Sequence, residues 1–131
     1  MKLADLPEFQ RGYFAALFFC NDEDAPSGDY LQTGRADTAF DALDENCKAI
    51  EILALEAWQH QHRKLLIAAE DNLHSRFSLG SDLYYTAAGH GCGYWDGDYE
   101  DTLGECLTEA ANTYRAPECV EQGDDGKLYL L

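Results

Sequence analysis

Residues 82–95, DLYYTAAGHGCGYW, decide which fold this sequence predicts. The segment 82–87 combines aromatic and β-branched side chains, and 93–95 returns to aromatic chemistry after a glycine-rich interval. Aromatic and β-branched residues favour strands, while glycine tolerates the positive φ angles that tight turns require. The pattern therefore predicts a β-hairpin whose loop is AGHGC, residues 88–92.

Helical periodicity is found on both sides of this predicted hairpin. Apolar residues recur at intervals of three and four in 6–20, in 37–70 and in 98–114. The segment 37–70 predicts one long helix or a helix pair, because no glycine or proline interrupts it. Its predicted core-facing seam is Phe40, Leu43, Cys47, Ile50, Ala54 and Ala57.

Turn-forming residues separate these elements. Residues 21–34 predict a long acidic surface loop, and 71–81 predict a connector. The Asp-Gly step in GDDGK, 123–127, predicts a C-terminal hairpin between ECV and KLYLL. The predicted fold is therefore α+β in the order α-α-β-β-α-β-β, with helices packed on one face of an antiparallel sheet. On length, residues 1–131 should form a single domain.

The strongest signal in the composition is negative charge. The chain has 25 Asp and Glu residues against 9 Lys and Arg, a formal charge of −16. Such a chain repels phosphate, which argues against direct binding to nucleic acid and favours a basic protein partner. The one long apolar run, YFAALFFC at 13–20, is much shorter than the roughly 20 residues of a membrane span.

The cysteine pattern predicts reduced thiols. The five cysteines are an odd number, and none has the CxxC or CxxH spacing of a metal or redox motif. We therefore expect a cytosolic protein without a disulfide framework, without a bound metal and without a cofactor.

Two sets of acidic residues recur at helical spacing. At a rise of 1.5 Å per residue, they would display a carboxylate about every 5–6 Å, which is of the order of duplex phosphate spacing. The stripes can be solvated helix faces or a DNA-mimicking surface that binds a basic protein. Repulsion between neighbouring carboxylates favours the second interpretation. The candidate partner-binding residues are Asp37, Asp41, Asp44, Glu45, Asp98, Asp101, Glu105 and Glu109.

The glycine-rich loop offers an alternative site formed by His90, Cys92 and Asp96. It lacks the Gly-Lys-Ser/Thr ending of a P-loop. A calcium loop starting at Asp96 fails, because Asp101 and Leu107 occupy the positions that require Gly and Glu. His90 and Cys92 would face one side of a strand, although nearby acids should raise the thiol pKa. This site would make the protein a small ligand- or metal-binding module or an enzyme.

The segment DLYYTAAGHGCGYWDGD, residues 82–98, resembles a motif of small acidic proteins encoded by bacteriophages and mobile elements. The usual form of that motif is DFWLTRNGHGAGFWD, followed by a glycine and a Leu-Thr-x-x-Ala helix. Here Gly104 and LTEAA at 107–111 continue the agreement, whereas Ala87 and Ala88 replace the usual Arg-Asn pair. The matching residues are Asp82, Thr86, Gly89, His90, Gly91, Gly93, Trp95 and Asp96.

The resemblance implies a phage origin and no established enzymatic activity. Together with the charge, it predicts an inhibitor of a host defence system, of the restriction or CRISPR-like kind, acting in the host cytoplasm. Such a protein would mimic DNA and occupy the nucleic-acid-binding surface of a basic host protein. The sequence leaves a homodimer open, and it predicts that Trp58 and Trp95 are core aromatics.

Overall fold

The computed structural model describes residues 1–24 and 30–131. Within these ranges the chain is mostly helical, with a short 3₁₀ turn at Leu3–Asp5, six α-helices and a two-stranded antiparallel sheet. The elements are α1 Glu8–Cys20, α2 Arg35–Ala42, α3 Glu45–Gln61, α4 Arg63–Asp71, α5 Arg76–Ala87, α6 Asp101–Ala111, β1 Val120–Gln122 and β2 Leu128–Leu130.

The predicted α+β fold in the order α-α-β-β-α-β-β is wrong, because residues 82–95 do not form a hairpin. Residues 82–87 are the second half of α5, and 93–95 lie in the loop before α6. Ser75 begins α5 as its N-cap, where its hydroxyl accepts a hydrogen bond from the Ser78 N–H at 3.1 Å. Packing of the helix against α1 outweighs the strand preference of its tyrosines and threonine.

The α1–α5 contact is the central packing of the fold, and two glycines allow it. A Cβ atom on Gly12 would overlap the Phe77 carbonyl, and one on Gly80 would overlap the Phe9 carbonyl. The Ser81 hydroxyl donates a hydrogen bond to the Gly12 carbonyl at 3.0 Å across the same contact. The prediction of a connector at 71–81 is therefore wrong in its second half, where Gly80 is a helix-packing position.

Helix α1 confirms the helix predicted for 6–20, but it is buried on nearly every side. Phe9, Tyr13, Phe14, Leu17 and Phe18 are all buried. A helix that is apolar all round is expected at the centre of a core. Helix α1 packs most extensively on α5, also contacts α2, and meets α3 through the stacked rings of Phe9 and Trp58.

The single helix or helix pair predicted for 37–70 is three helices, broken at Leu43–Asp44 and at His62. Asp44 caps α3, since its carboxylate accepts from the backbone N–H groups of Asn46 and Cys47 at 3.1 and 3.2 Å. This break changes the helical phase, so the predicted seam is wrong at Ile50 and Ala57, which are exposed, whereas Cys47 and Ala54 are partly buried against the core as predicted. Ile50 is 68% exposed and Leu53 is 64% exposed. The buried residues of α3 are Lys48, Glu51, Leu55 and Trp58.

The predicted C-terminal hairpin is confirmed. Strands β1 and β2 are antiparallel, with Val120 opposite Leu130, and Gly126 adopts a positive φ in the turn. The hairpin joins the helices through a bridge between Leu43 and Leu128, where the Asp44 N–H donates to the Leu128 carbonyl at 2.8 Å. Among the described residues this ribbon replaces the larger predicted sheet.

Part of the predicted acidic loop 21–34, namely 25–29, lies outside the described residues. On its two sides, Asp22 forms a salt bridge with Arg35 at the start of α2, and Tyr30 is buried. No helix in the described ranges is both long and apolar enough to span a membrane.

Candidate functional site

The residues of the first predicted acidic stripe are divided between two helices. Asp37 and Asp41 lie on α2, whereas Asp44 and Glu45 lie at the start of α3. Asp41 pairs with Lys2 at 3.2 Å, and Glu45 pairs with the buried Lys48 at 3.0 Å. Because Asp44 also serves as a helix cap, Asp37 is the one member of this set without a side-chain partner among the described residues. Asp41, Asp44 and Glu45 therefore already have partners within the chain.

The second predicted stripe lies mainly on α6. Asp101, Glu105 and Glu109 are exposed on this helix, and Asp98 lies in the loop before it. Within the described part of the chain, the carboxylates of these four residues form neither a salt bridge nor a hydrogen bond. Intervals of four residues on a helix separate side chains by about 6 Å along its axis. Helix α6 therefore displays a run of unpaired negative charge.

A groove of about 470 Å³ runs beside this charged face. Its charged side chains are Asp101, Glu105 and Glu109, and none of its lining residues is basic. Trp95 also lines the groove and is 55% exposed. The prediction that Trp95 is a core residue is therefore wrong, whereas Trp58 is buried as expected and donates to the Ala110 carbonyl at 2.9 Å. We call this surface the Trp95 groove; its lining residues are Tyr94, Trp95, Gly97, Tyr99, Asp101, Gly104, Glu105, Thr108 and Glu109.

The loop that carries Trp95 is held firmly on both sides of it. The buried Tyr94 donates its hydroxyl to the Leu79 carbonyl at 2.6 Å, and its N–H donates to the Thr86 hydroxyl at 3.0 Å. Gly93 has a positive φ and lies so close to Thr86 that a Cβ atom would overlap the hydroxyl. Because Tyr94 points into the core, its neighbour Trp95 is directed outward.

A second anchor joins this loop to α5. The Tyr99 hydroxyl donates to the Asp82 carboxylate at 2.6 Å, and the Tyr99 ring stacks on His74 at 4.0 Å. Burial, opposed by the Tyr99 hydrogen bond, raises the pKa of Asp82. Asp82, Thr86, Gly93 and Gly104, which packs against the Tyr94 carbonyl, are thus motif residues with structural roles. His90 and Trp95 are motif residues whose side chains remain exposed.

The charge around the groove is largely uncompensated. In residues 1–24 and 30–131 there are four salt bridges, Lys2–Asp41, Arg35–Asp22, Lys48–Glu45 and Arg76–Glu70, and none involves α6. Glu100 caps α6 by accepting from the Thr102 and Leu103 N–H groups, and these hydrogen bonds lower the pKa of its carboxyl. Most acidic side chains of the described chain therefore have no cation beside them.

The alternative site residues His90, Cys92 and Asp96 lie on one loop without bonding to one another. Asp96 accepts from the N–H groups of Gly93 and Asp98 at 3.3 and 3.4 Å, which makes it a turn-stabilising residue. The removal of water around the Cys92 thiol, followed by the Asp82 and Asp96 carboxylates, raises the pKa of Cys92. A raised pKa disfavours the thiolate and weighs against a nucleophilic role. None of the five cysteines forms a disulfide.

His90 does border a cleft of its own. The cleft has a volume of about 640 Å³ and lies where α1, α5 and α6 end, between Cys20, Ala87 and Asn112. His90 and Arg115 line it, and the His90 ring lies 5.6 Å from that of Tyr84. Burial raises the pKa of Cys20 to about 11, so this thiol is protonated at neutral pH. Among the described residues, no group of three or more His, Cys, Asp or Glu side chains is arranged to hold a metal ion.

Sequence reasoning missed a buried polar cluster around Glu51. One oxygen, Oε1, accepts hydrogen bonds from the Tyr13 hydroxyl at 2.6 Å and the Tyr114 hydroxyl at 2.5 Å. Burial is the main cause that raises the pKa of both tyrosines, and the Glu51 carboxylate adds to it. The available signal was that Glu51 and Leu55 are four residues apart on α3, the spacing of one helix face. The cluster joins α1, α3 and the segment after α6, which is a structural role.

Comparison of the chain with models of protein families, with curated proteins and with solved structures gives no match.

Proposed function

We propose that this protein is a non-enzymatic, phage-type inhibitor of a host defence system that binds the nucleic-acid-binding surface of a basic host protein. On this proposal the target is a restriction or CRISPR-like system, and the protein acts in the host cytoplasm. The acidic face of α6, with Asp98, Asp101, Glu105 and Glu109, is the contact surface. On this proposal the protein competes with nucleic acid and does not bind it.

The observation that carries this proposal is the unpaired charge of α6. Four carboxylates at or near one helix face have no cationic partner within the described chain. Like charges at this spacing repel and destabilise an isolated helix by a few tenths of a kcal/mol per pair, about 0.2–0.5. A basic partner would relieve that repulsion and would be attracted over distance by the net charge of −16.

The phage and anti-defence parts of the proposal are supported by the motif resemblance of residues 82–98. Small acidic proteins of phages are well suited to occupy the basic clefts in which defence nucleases hold DNA or RNA. Asp41 and Glu45 are paired with lysines, Asp44 caps α3, and Asp37 lies on α2, so the proposed surface consists of Asp98 and the α6 carboxylates.

Competition binding against a panel of purified restriction endonucleases and CRISPR effectors tests the proposal. Fluorescently labelled duplex or guide RNA is displaced from each panel member while its anisotropy is recorded at low and high salt. We expect displacement from at least one member, weakening about tenfold or more as salt rises from low to physiological strength.

Two triple variants separate a specific face from general acidity. Asp101→Asn, Glu105→Gln and Glu109→Gln together remove the α6 charges, while Glu56→Gln, Asp71→Asn and Asp124→Asn together remove three exposed carboxylates elsewhere. Both variants have the same net charge. Competition should be lost in the first and kept in the second. Equal loss in both, or displacement from no panel member at low salt, would show that the proposal is wrong.

A second candidate function is a small ligand-binding module centred on His90. The polar cleft lined by His90, Arg115 and Asn112 favours it. A metabolite library screened by thermal shift tests this candidate, with His90→Ala as the variant. Loss of a ligand-induced shift in His90→Ala, with an unchanged melting temperature of the free protein, would support it, and the absence of any stabilising ligand would remove it.

A further inference from the structure

We infer that the Trp95 groove binds an arginine side chain of the partner protein, stacked on the indole and held by the carboxylates of α6. This inference rests on the proposed function, because it specifies how the basic partner would be recognised. It goes beyond general electrostatic attraction, since it assigns the contact to one groove and to one cationic residue type.

The exposure of Trp95 is the first observation behind this inference. Trp95 is 55% exposed although it directly follows the buried Tyr94. The loop is anchored through the Tyr94 and Tyr99 hydroxyls, so the indole is carried on a fixed backbone. Tryptophan side chains of this kind supply large contact area with little loss of conformational entropy, and they are enriched among residues that dominate binding energy.

The chemistry of the groove selects its occupant. Its uncharged lining residues are aromatic or small, and the charged residues that line it within the described chain are Asp101, Glu105 and Glu109. An apolar segment would desolvate these carboxylates without giving them partners, and a nucleic acid would be repelled by them. A cation is therefore the favoured occupant, and among residues 1–24 and 30–131 no Lys, Arg or His lines the groove.

Arginine fits this combination better than lysine does. Its planar guanidinium stacks on an aromatic face and donates two parallel hydrogen bonds to one carboxylate, whereas lysine presents a compact, strongly hydrated charge. Stacking of a cation on tryptophan contributes about 0.5–2 kcal/mol, which corresponds to about a twofold to thirtyfold change in affinity. Arginine is also abundant on surfaces that bind phosphate, which are the surfaces that the proposed function addresses.

Peptide titration with the full chain tests the inference. Three capped Gly-Ser peptides carry, at the same two positions, arginine, lysine or citrulline, the uncharged analogue of arginine. Tryptophan emission reports binding, since Trp95 is exposed and the buried Trp58 contributes a background that the peptide does not contact. We expect the arginine peptide to bind at least about threefold more tightly than the lysine peptide, and citrulline to bind weakest.

Variants assign the contact to the groove, with binding followed by calorimetry where the fluorophore is removed. Trp95→Ala should lower affinity for the arginine peptide about threefold or more and reduce the preference for arginine over lysine, while Trp95→Phe should retain more of that preference. Phe19→Ala, which removes another exposed aromatic residue, should leave affinity unchanged. Glu105→Gln should weaken binding more than Glu56→Gln does.

Equal binding of arginine and lysine peptides by the wild-type chain, or unchanged affinity in Trp95→Ala, would overturn the inference. If Trp95→Ala keeps full affinity while the α6 triple variant loses it, the groove assignment fails and the proposed function stands. If the arginine preference and its dependence on Trp95 are found while no defence protein is bound, the groove assignment stands and the proposed function fails.

Discussion

Alkaline pH should unfold this protein through its buried tyrosines. Four of them, Tyr13, Tyr94, Tyr99 and Tyr114, are buried with their hydroxyls hydrogen-bonded to a carboxylate or a carbonyl. Burial is the largest cause that raises the pKa of each, with carboxylates nearby adding to the effect. In the unfolded chain the same phenols ionise near pH 10.

The direction and size of the effect follow from proton binding. Because the folded pKa values are raised, the stabilisation from protonated phenols is fully present below about pH 10 and is lost as pH rises towards the folded pKa values. Above pH 10 each of the four folded tyrosines holds about one proton more than its unfolded counterpart. Each therefore lowers the free energy of unfolding by about 1.4 kcal/mol per pH unit, and the four together by about 5 kcal/mol per pH unit. A stability of about 5–15 kcal/mol would then be exhausted within about 1–3 pH units above 10.

Two signals recorded on the same samples from pH 8 upwards test this prediction. Tyrosinate absorbance measures ionisation of the tyrosines, and far-UV circular dichroism measures loss of helix. We expect a steep, coincident transition in both signals. Tyr94→Phe should reduce the slope by about 1.4 kcal/mol per pH unit, since it removes one ionisable group. High salt, which screens repulsion among the exposed carboxylates, should leave the slope nearly unchanged. Gradual ionisation of all tyrosines near pH 10 with helical dichroism retained would refute the reasoning.

Three substitutions probe other parts of the fold by urea unfolding. Gly80→Ala should destabilise the protein by about 1–3 kcal/mol, because the new Cβ atom would overlap the Phe9 carbonyl. Gly91→Ala is the control, since Gly91 has open space around it, and it should change stability by less than about 0.5 kcal/mol. Equal effects of the two substitutions would contradict the close helix contact. Glu51→Leu should destabilise the protein by on the order of 3 kcal/mol, since the Tyr13 and Tyr114 hydroxyls lose their acceptor. Glu56→Leu, at an exposed position, is the control. Similar losses of stability in both variants would contradict a stabilising role for the Glu51 cluster. His90→Ala should leave stability within about 0.5 kcal/mol because the ring is exposed, and a larger loss would make the residue structural.

Local patterns predicted the elements whose sequence and surroundings agree. Helix α1 and the C-terminal hairpin follow from apolar periodicity and from an Asp-Gly turn, and both are found. Helix α5 was not predicted because its tyrosines and threonine favour strands, and because glycine, here Gly80, usually interrupts a helix. Only the distant partner α1 explains why a glycine and a helix coincide there. This packing is a tertiary contact between distant segments, so a short stretch of sequence cannot reveal it.

The candidate site was predicted in part for a similar reason. The α6 carboxylates keep the spacing expected from the sequence, because a regular helix preserves a periodic pattern. The first stripe is interrupted at Asp44, which caps α3. The break between α2 and α3 at this point changes which residues of α3 face the core. The sequence predicts a buried Trp95 because tryptophan is usually buried, but in this loop the Tyr94 ring lies in the core and the adjacent Trp95 indole stays exposed.

The glycine contact between α1 and α5 also constrains how the chain folds as it is synthesised. Gly12 and Gly80 are far apart in sequence, so the apolar α1 leaves the ribosome long before the helix that covers it has been translated. Closing such a long loop is entropically unfavourable and delays the contact on which the core depends. The segment YFAALFFC, residues 13–20, therefore lacks its α5 partner until residues 76–87 have been synthesised, and in that interval its apolar side chains are open to aggregation or to a chaperone.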